Sequence, residues 1–166
     1  MRRTKFDRWP CSIARTTDLL GDWWTPLVLR EAFYGARRFD EFVERLGIGR
    51  NVLTVRLKRL VEAGILRTEP YQKRPQRHEY RLTAKGRDLF GVLAAMIRWG
   101  DDWLATDSGP PVELIDRRTG HVVRPAVVDE HTGEPLDPRN LRARPGPGFP
   151  TDAAALAHAR GIETST

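Results

Sequence analysis

The 166-residue sequence contains a single cysteine, Cys11, and no long apolar run. One cysteine excludes an internal disulfide and a zinc knuckle built from cysteines. No stretch approaches the roughly 20 apolar residues that a transmembrane helix needs. The opening segment, MRRTKFDRWPC, carries charge but is not followed by the apolar segment of a signal peptide. These absences predict a cytoplasmic protein that has no membrane partner.

Motifs of the common enzyme classes are also missing. The chain has no glycine-rich phosphate-binding loop, no H-E-x-x-H and no G-x-S-x-G. Its four histidines are scattered, and Cys11 has no histidine near it in sequence that would activate the thiol. We therefore expect no enzyme and no cofactor.

Positive charge is concentrated in one part of the chain. Residues 1–106 hold 21 Lys and Arg against 13 Asp and Glu, whereas residues 107–166 hold 7 against 9. Residues 50–87 alone hold 11 against 3, which equals the whole excess of the first 106 residues. A patch of this density favours a polyanionic partner, and the alternative is a solvated basic face.

Glycines and capping residues divide the first part into short helices. CSIARTTDLL predicts one helix that stops at Gly21, and in TPLVLREAFY we expect Thr25 as the N-cap, Pro26 in the first turn and a stop at Gly35. FDEFVERL predicts a third helix. The three residues 47–49 then lead into a longer basic helix, which is the order of a helix-turn-helix.

The segment GIGRNVLTVRLKRLVEAGIL, residues 47–66, has two distinct faces at helical periodicity. Leu53, Leu57, Leu60 and Val61 share the face that packs into a core, whereas Asn51, Val55 and Lys58 lie opposite. The major groove of B-DNA admits one α-helix, where Arg binds guanine, Asn binds adenine and an apolar side chain contacts the thymine methyl. The second face therefore predicts contact with DNA bases.

Two strands follow, ILRTEPY and EYRLT, separated by the basic segment QKRPQRH, and together they predict the wing of a winged helix. The wing would bind the DNA backbone or the minor groove. The predicted DNA contacts are Arg38, Arg50, Asn51, Thr54, Val55, Lys58, Lys73, Arg74 and Arg77.

A long helix, AKGRDLFGVLAAMIRWGDDWLA, is expected after Thr83 as its cap. Its apolar stripe of Leu89, Leu93, Met96, Ile97 and Leu104 is widened by Phe90, Trp99 and Trp103. This is more apolar surface than one small domain buries, so it predicts a homodimer. The fold class is mainly α, with an α+β winged helix-turn-helix domain and a long C-terminal dimerisation helix.

Three stretches in this order, CSIARTTDLLGDWWTPLVLREAFYGARRFDEF, GIGRNVLTVRLKRLVEAGIL and RPQRHEYRLTAKG, resemble the HxlR-type transcriptional regulators, which are relatives of the MarR regulators. The resemblance covers about residues 11–105. It implies a dimeric bacterial regulator that binds an inverted repeat in double-stranded DNA, with the recognition helix at 49–63 and the wing near 72–79. The alternative is a winged-helix module that binds protein or RNA.

Cys11 stands where some members of that family carry a thiol that senses oxidants or electrophiles. Arg8 and Arg15 lie close to it in sequence and would lower the pKa of the thiol. The alternative is a small buried apolar residue near a helix start.

Prolines predict a change of organisation after residue 106, because eight of the twelve lie beyond it. We expect an N-terminal arm at 1–10, the winged domain at 11–106, a Pro-rich extension at 107–148 and a flexible tail at 149–166. DRRTGH and DEHTGE in the extension share the frame of a zinc-ribbon knuckle without its cysteines. Asp116, Thr119, Asp129 and Thr132 are poor zinc ligands as a set, so we expect a small metal-free β-hairpin with VVRPAVV as its strand.

Five aromatic residues are expected to meet near the dimer core: Trp23, Trp24, Phe33, Trp99 and Trp103. Such a cluster predicts either a pocket for a small apolar or aromatic effector or plain packing of the core and interface.

Overall fold

A computed structural model describes residues 6, 9–74 and 76–149. Most of the predicted arm at 1–10, including Arg8, and the tail beyond residue 149 lie outside the described residues. The elements are α1 (Ser12–Leu20), α2 (Thr25–Phe33), α3 (Phe39–Leu46), α4 (Arg50–Glu62), β1 (Leu66–Lys73), β2 (Gln76–Leu82), α5 (Ala84–Asp88), α6 (Phe90–Trp103), β3 (Leu114–Ile115), β4 (Val122–Val123) and a 3₁₀ turn (Pro138–Asn140). None of the helices in these ranges is long and apolar enough to span a membrane.

The chain divides into two compact units. The first contains α1 and the 3₁₀ turn, and the second runs from Pro26 to Pro135. In the second unit three helices are followed by an antiparallel hairpin and two further helices, which confirms the predicted α+β winged helix. Its core is aliphatic with one aromatic ring: Val28, Leu29, Ala32, Phe42, Leu53, Leu57, Leu60, Ile65 and Leu66 are all at most 1% exposed.

The start of α2 differs from the prediction that Thr25 is its N-cap. The helix already includes Thr25, and the Asp22 carboxylate accepts hydrogen bonds from the backbone N–H groups of Trp24 and Thr25, both at 3.0 Å. The Thr25 hydroxyl also donates to Asp22. An Asp side chain satisfies exposed N–H groups at a helix start, so the capping residue is Asp22.

The wing hairpin is longer than the sequence predicted. β1 and β2 pair from Leu66 with Leu82 out to Lys73 with Gln76, so most of the expected loop at 72–78 is strand. Both faces of the hairpin tip are exposed, and its polar residues give no apolar alternation that would mark a strand. The strands continue to the tip through backbone pairing between β1 and β2, without apolar side chains that alternate in burial.

The long helix predicted after Thr83 is two helices. Thr83 is the cap, as expected, since its hydroxyl accepts from the Gly86 N–H at 3.1 Å and donates to the Gly64 carbonyl at 2.6 Å. The first helix ends after five residues, and Leu89 separates it from α6 with a 3.3 Å bond from its own N–H to the Gly86 carbonyl. The segment has no proline at this break, and its apolar periodicity continues across it. The sequence therefore predicted one helix instead of two.

The extension holds two tight loops where one hairpin was predicted. Asp116 and His121 close the first loop with a 2.9 Å backbone bond, and Asp129 and Glu134 close the second with an identical one. The segment VVRPAVV is therefore not a single strand: its first two residues form β4, which pairs with β3, and Val128 at its end pairs with Pro135. Each D-x-x-T-G frame forms its own loop, with its glycine at positive φ.

Candidate nucleic-acid interface

Helix α4 has one buried and one exposed face, as its periodicity predicted. Leu53, Leu57 and Leu60 are at most 1% exposed, while Asn51 and Lys58 are exposed and Val55 is 55% exposed. The leucine face meets the core, so the Asn51, Val55 and Lys58 side chains on the other face are free to contact a partner. The exposed face is therefore the candidate contact surface.

The turn between α3 and α4 is held on both sides. Gly47 ends α3 in the left-handed region at φ 60°, and Gly49 is the N-cap of α4. Ile48 between them is 2% exposed, so its side chain anchors the turn in the core. This anchoring fixes the direction in which α4 leaves α3.

The start of α3 is capped by the carboxylate of Glu41, which lies in the first turn and binds the backbone before the helix. Glu41 accepts hydrogen bonds from the backbone N–H groups of Arg37 at 2.7 Å and Arg38 at 3.1 Å. These bonds favour the ionised form and lower the pKa of Glu41 below its ordinary value. The first turn of the helix is thereby tied to the segment that precedes it.

Arg50, the first residue of α4, is held by two residues of α3. Its Nη1 donates to Asp40 Oδ1 at 2.8 Å, and its guanidinium carbon lies 4.8 Å from the centre of the Phe39 ring. The Arg50 side chain remains 65% exposed. The predicted contact is thus accessible and oriented at the same time.

Arg38 joins the wing to α3. Its Nε lies 3.4 Å from Glu79 of β2, and its guanidinium carbon lies 4.5 Å from the centre of the Tyr71 ring of β1. A 2.7 Å hydrogen bond from the Tyr80 N–H to the Arg37 carbonyl lies beside it. Within the chain, this predicted DNA contact therefore braces the hairpin.

The remaining predicted contacts lie along α4 and at the wing. Thr54 donates its hydroxyl to the Arg50 carbonyl at 2.9 Å, and Lys58 pairs with Glu62 at 3.8 Å. The wing cations Lys73, Arg74 and Arg77 are exposed. Lys73 lies opposite Gln76 in the strand register, at the end of the hairpin. The structure thus brings one basic helix and one basic hairpin to the same domain.

A groove of about 530 Å³ separates α3 and the start of α4 from the wing. Its walls include Phe39, Asp40, Arg50, Tyr71, Arg77 and Tyr80. Burial raises the pKa of Tyr80, whose ring stands edge-on to Phe42 with the centroids 6.4 Å apart. Asp40, Phe39 and Tyr71 were not predicted from the sequence, because only the turn and the hairpin bring their partners near them.

The five aromatic residues expected to form one cluster have different surroundings. Trp23 is 92% exposed in the first unit, and in the second unit Trp99 and Trp103 are 59% and 74% exposed. Phe33 instead packs against Phe90, with the ring centroids 5.1 Å apart. An apolar cavity of about 200 Å³ forms there, with Pro26, Leu27, Phe33, Phe90, Leu93 and Met96 in its walls.

Cys11 is the N-cap of α1. Its Sγ accepts a hydrogen bond from the Ala14 N–H at 3.5 Å, and the residue is half-buried. Arg15 is joined to it through the helix backbone, since the Arg15 N–H donates to the Cys11 carbonyl at 3.1 Å. The side chain that caps this helix is therefore a thiol, which is an unusual capping group.

The carboxylates of the two extension loops bind their own backbone. Asp116 Oδ1 accepts from the Arg118 N–H at 2.7 Å, and Asp129 Oδ1 accepts from the His131 N–H at 2.8 Å and the Thr132 N–H at 3.1 Å. Within residues 9–74 and 76–149, no three His, Cys, Asp or Glu side chains are grouped so that they would hold a metal ion. Hydrogen bonds close each knuckle-like loop.

These features define a winged helix-turn-helix protein: a capped short helix, a buried three-residue turn, a helix that is basic on its free side, and a hairpin. The chain belongs to the HxlR-like helix-turn-helix family, whose profile matches residues 19–108. The protein is a transcriptional regulator of the helix-turn-helix type, a class that is not enzymatic.

Relatives and solved structures agree with this assignment. A helix-turn-helix transcriptional regulator of Mycobacterium tuberculosis is 44% identical over 144 residues, which cover 87% of this chain and 91% of the relative. The crystal structure of PA1607, a candidate transcription factor, matches with a TM-score of 0.76 and 38% identity over 84% of this chain and 98% of that one. The reduced form of the redox regulator HypR matches with a TM-score of 0.52 and 31% identity over 55% of this chain and 92% of that one.

The extension is not peculiar to this chain. A match of 144 residues is longer than the 108 residues that end where the family profile ends, so it must continue past residue 108. The mycobacterial regulator therefore shares part of the extension.

Proposed function

We propose that the protein is a sequence-specific, dimeric regulator that binds double-stranded DNA in the bacterial cytoplasm. Helix α4 enters the major groove, and the wing lies on the backbone or in the minor groove. The observation that carries this proposal is the exposed face of α4, where Asn51, Val55 and Lys58 stand opposite a completely buried leucine face. An α-helix of this design fits the major groove.

Roles follow from the chemistry of the side chains. Arg50 is suited to the O6 and N7 atoms of guanine, Asn51 to adenine and Val55 to a thymine methyl, and each good bidentate contact contributes about 1–3 kcal/mol of discrimination. Lys73, Arg74 and Arg77 contribute affinity that depends on salt and little choice of sequence. Base recognition therefore belongs to α4 and general affinity to the wing.

The apolar surface of α6 supports the dimer. Met96, Trp99, Trp103 and Leu104 are between 52% and 74% exposed in the single chain. Large apolar side chains in this number on one helix and its C-cap residue Leu104 mark an interface, and a second copy of the chain would cover them. Two copies would bind an inverted repeat whose half-sites are about 34–36 Å apart or a multiple of that.

The experiment that tests DNA recognition is selection of bound fragments from sheared genomic DNA, followed by footprinting. We expect a protected inverted repeat. Asn51→Ala should relax sequence choice, with a loss of about 1–3 kcal/mol of discrimination at one position of each half-site. Arg117→Ala, the loss of an exposed cation in the extension, is the control and should leave the footprint unchanged.

Failure would take one of two forms. If no duplex binds better than random DNA, the proposed function is wrong. If an immobilised protein or RNA is bound in preference to every duplex, the winged helix is an interaction module of the alternative kind.

A separate salt titration tests the wing. The affinity of a DNA-binding protein falls linearly on a log–log plot against salt, with a slope of about −0.9 for each phosphate neutralised. Lys73→Ala and Arg74→Ala should each make the slope shallower by about 0.9 without changing which sequence is preferred. Unchanged slopes for both variants would show that the wing does not contact DNA phosphates.

Two further elements are proposed to control DNA binding. The cavity beside Phe33 and Phe90 supports a small apolar or aromatic effector, because its walls are almost entirely hydrocarbon. Cys11 at the start of α1 supports redox control, and HypR, which this fold resembles, is described as a redox regulator. The lone thiol would have to form its disulfide with a second subunit or with a small thiol.

A further inference from the structure

We infer that Asp40 is a specificity-determining positioning residue: it holds Arg50 so that the guanidinium contacts a base edge and is kept from neighbouring phosphates. The inference rests on the proposed DNA binding and deepens it. It assigns a role to an acidic residue on the face of the molecule that would meet a polyanion. An acidic side chain there lowers general affinity for DNA by charge repulsion. We therefore assign it a role in sequence specificity.

The geometry of the pair is specific to this turn. Asp40 lies in the first turn of α3 and Arg50 begins α4, ten positions later, yet Nη1 and Oδ1 are 2.8 Å apart. The Phe39 ring lies under the same guanidinium at 4.8 Å. A ring beneath the guanidinium plane and a carboxylate at one edge restrict both its tilt and its rotation.

The pair remains open to a ligand. The side chains of Arg50 and Asp40 are 65% and 71% exposed, so neither is enclosed by the fold. A guanidinium has five N–H donors, and one bond to Asp40 leaves an edge with which Arg50 can bind guanine in bidentate fashion. The held arginine is thus a recognition group whose orientation is prepared before DNA arrives.

The second arginine of the groove is held in the same way. Arg38 lies over the Tyr71 ring at 4.5 Å and pairs with Glu79 at 3.4 Å. Each of these arginines therefore combines one aromatic ring with one carboxylate. The repetition on two elements of the same groove indicates that oriented arginines, rather than a diffuse positive field, are the feature that this groove provides.

Pairing with Asp40 has opposite effects on the two kinds of complex. Non-specific binding depends on net positive charge near phosphates, and Asp40 cancels the charge of Arg50. Specific binding depends on the direction of N–H groups toward a base, and Asp40 fixes that direction. Removing the carboxylate should therefore strengthen binding to random DNA and weaken preference for the operator.

The test compares Asp40→Asn with Glu44→Gln in the full chain, using the duplex recovered by genomic selection and a random duplex of equal length. Glu44 lies one turn further along α3, is exposed and lines the same groove, so its variant removes the same charge at a similar place. We expect Asp40→Asn to lower the ratio of operator to random affinity about tenfold, the lower part of the range for a bidentate contact. Glu44→Gln should raise both affinities alike and leave the ratio unchanged.

A double-mutant cycle separates positioning from charge. In the Arg50→Ala background, Asp40→Asn should no longer change the ratio, because there is no guanidinium to orient. Far-UV circular dichroism and the urea midpoint of Asp40→Asn should match those of the parent, which excludes misfolding as the cause.

The outcomes distinguish this inference from the proposed function. If the unaltered protein does not prefer any duplex, DNA recognition itself is refuted. If it prefers the operator but Asp40→Asn and Glu44→Gln change the ratio equally, or Asp40→Asn acts equally without Arg50, the inference alone is overturned.

Discussion

The Arg38 guanidinium and the Glu79 carboxylate, whose Nε and Oε1 atoms are 3.4 Å apart, connect the residue before α3 to the second strand of the wing. The same two residues also form an isolated antiparallel bridge through their backbones. Side-chain and main-chain contacts therefore coincide at one point. The wing is fastened to the helix-turn-helix here, some distance from its tip at Lys73 and Gln76.

Arg38→Ala is expected to loosen this fastening. The substitution removes a partly exposed ion pair and the contact with the Tyr71 ring, and such interactions together contribute about 1 kcal/mol. Urea unfolding should show that loss, and hydrogen exchange at the Tyr80 amide should become faster. Arg77→Ala on the same wing is the control, for which we expect a change below about 0.5 kcal/mol. Equal losses for the two variants would contradict the bracing role.

Two glycines near the split helix are expected to respond oppositely to alanine. A Cβ at Gly86 would overlap the carbonyl oxygen of Ile65, whereas a Cβ at Gly91 would meet no atom within 4 Å. Gly86→Ala should therefore cost about 1–3 kcal/mol through overpacking. Gly91→Ala should increase the free energy of unfolding by up to about 1 kcal/mol, because Ala is a better helix former than Gly. Thermal unfolding measures both, and a loss of stability in Gly91→Ala would contradict the open space around this position.

Glu41 is expected to make stability depend on pH in the acid range. Its pKa in the folded chain lies below the ordinary value of 4.5, mainly because the Arg37 and Arg38 N–H groups bond to the carboxylate. The stabilisation is therefore complete well above pH 4.5 and is lost as the pH falls through the lower, folded-state pKa.

Glu41→Gln tests this dependence. A neutral amide oxygen is a weaker acceptor, so at pH 7 the variant should unfold with a free energy lower by about 1 kcal/mol, the usual size of a capping interaction. The difference should shrink when urea unfolding is repeated at progressively lower pH through the acid range. A difference that is constant with pH would show that the charge of Glu41 does not matter.

The helix-turn-helix was predictable from sequence because its signals are local. Gly47 and Gly49 mark the turn, and the spacing of Leu53, Leu57 and Leu60 defines the buried face. Each of these features is present within about four residues of the element that it specifies. The family resemblance and the α+β class followed from the same segments.

The supports of the candidate site were not predictable because they join distant residues. Asp40 and Arg50 meet only after the turn has been built, and Tyr71 reaches Arg38 only across the finished hairpin. The extension shows the same limit. Its two D-x-x-T-G frames were recognised, but the pairing of β4 with β3 depends on the chain direction after each loop.

The extension should be released from α6 by a single substitution at Asp102. The Asp102 carboxylate bonds to Arg98 Nε at 2.5 Å and to Arg124 of the extension at 2.9 Å, and Arg98 also donates to the Pro125 carbonyl at 3.2 Å. Hydrogen bonding with Arg98, followed by the charges of Arg98 and Arg124, lowers the pKa of Asp102 below its ordinary value, so the group is ionised at neutral pH.

Asp102→Asn should therefore open the extension locally while the winged domain stays folded. We expect trypsin to cleave after Arg118 of the extension about fivefold faster than in the parent, because local opening exposes the backbone to the protease. The urea midpoint of the winged domain should not move, since its leucine core is untouched. Asp107→Asn, an exposed residue with the same change of charge, is the control and should leave the cleavage rate unchanged. Cleavage at the parental rate in Asp102→Asn would mean that the apolar side chains of Val112 and Leu114, which line a pocket together with Ile97 of α6, keep the extension in place without the arginine pairs.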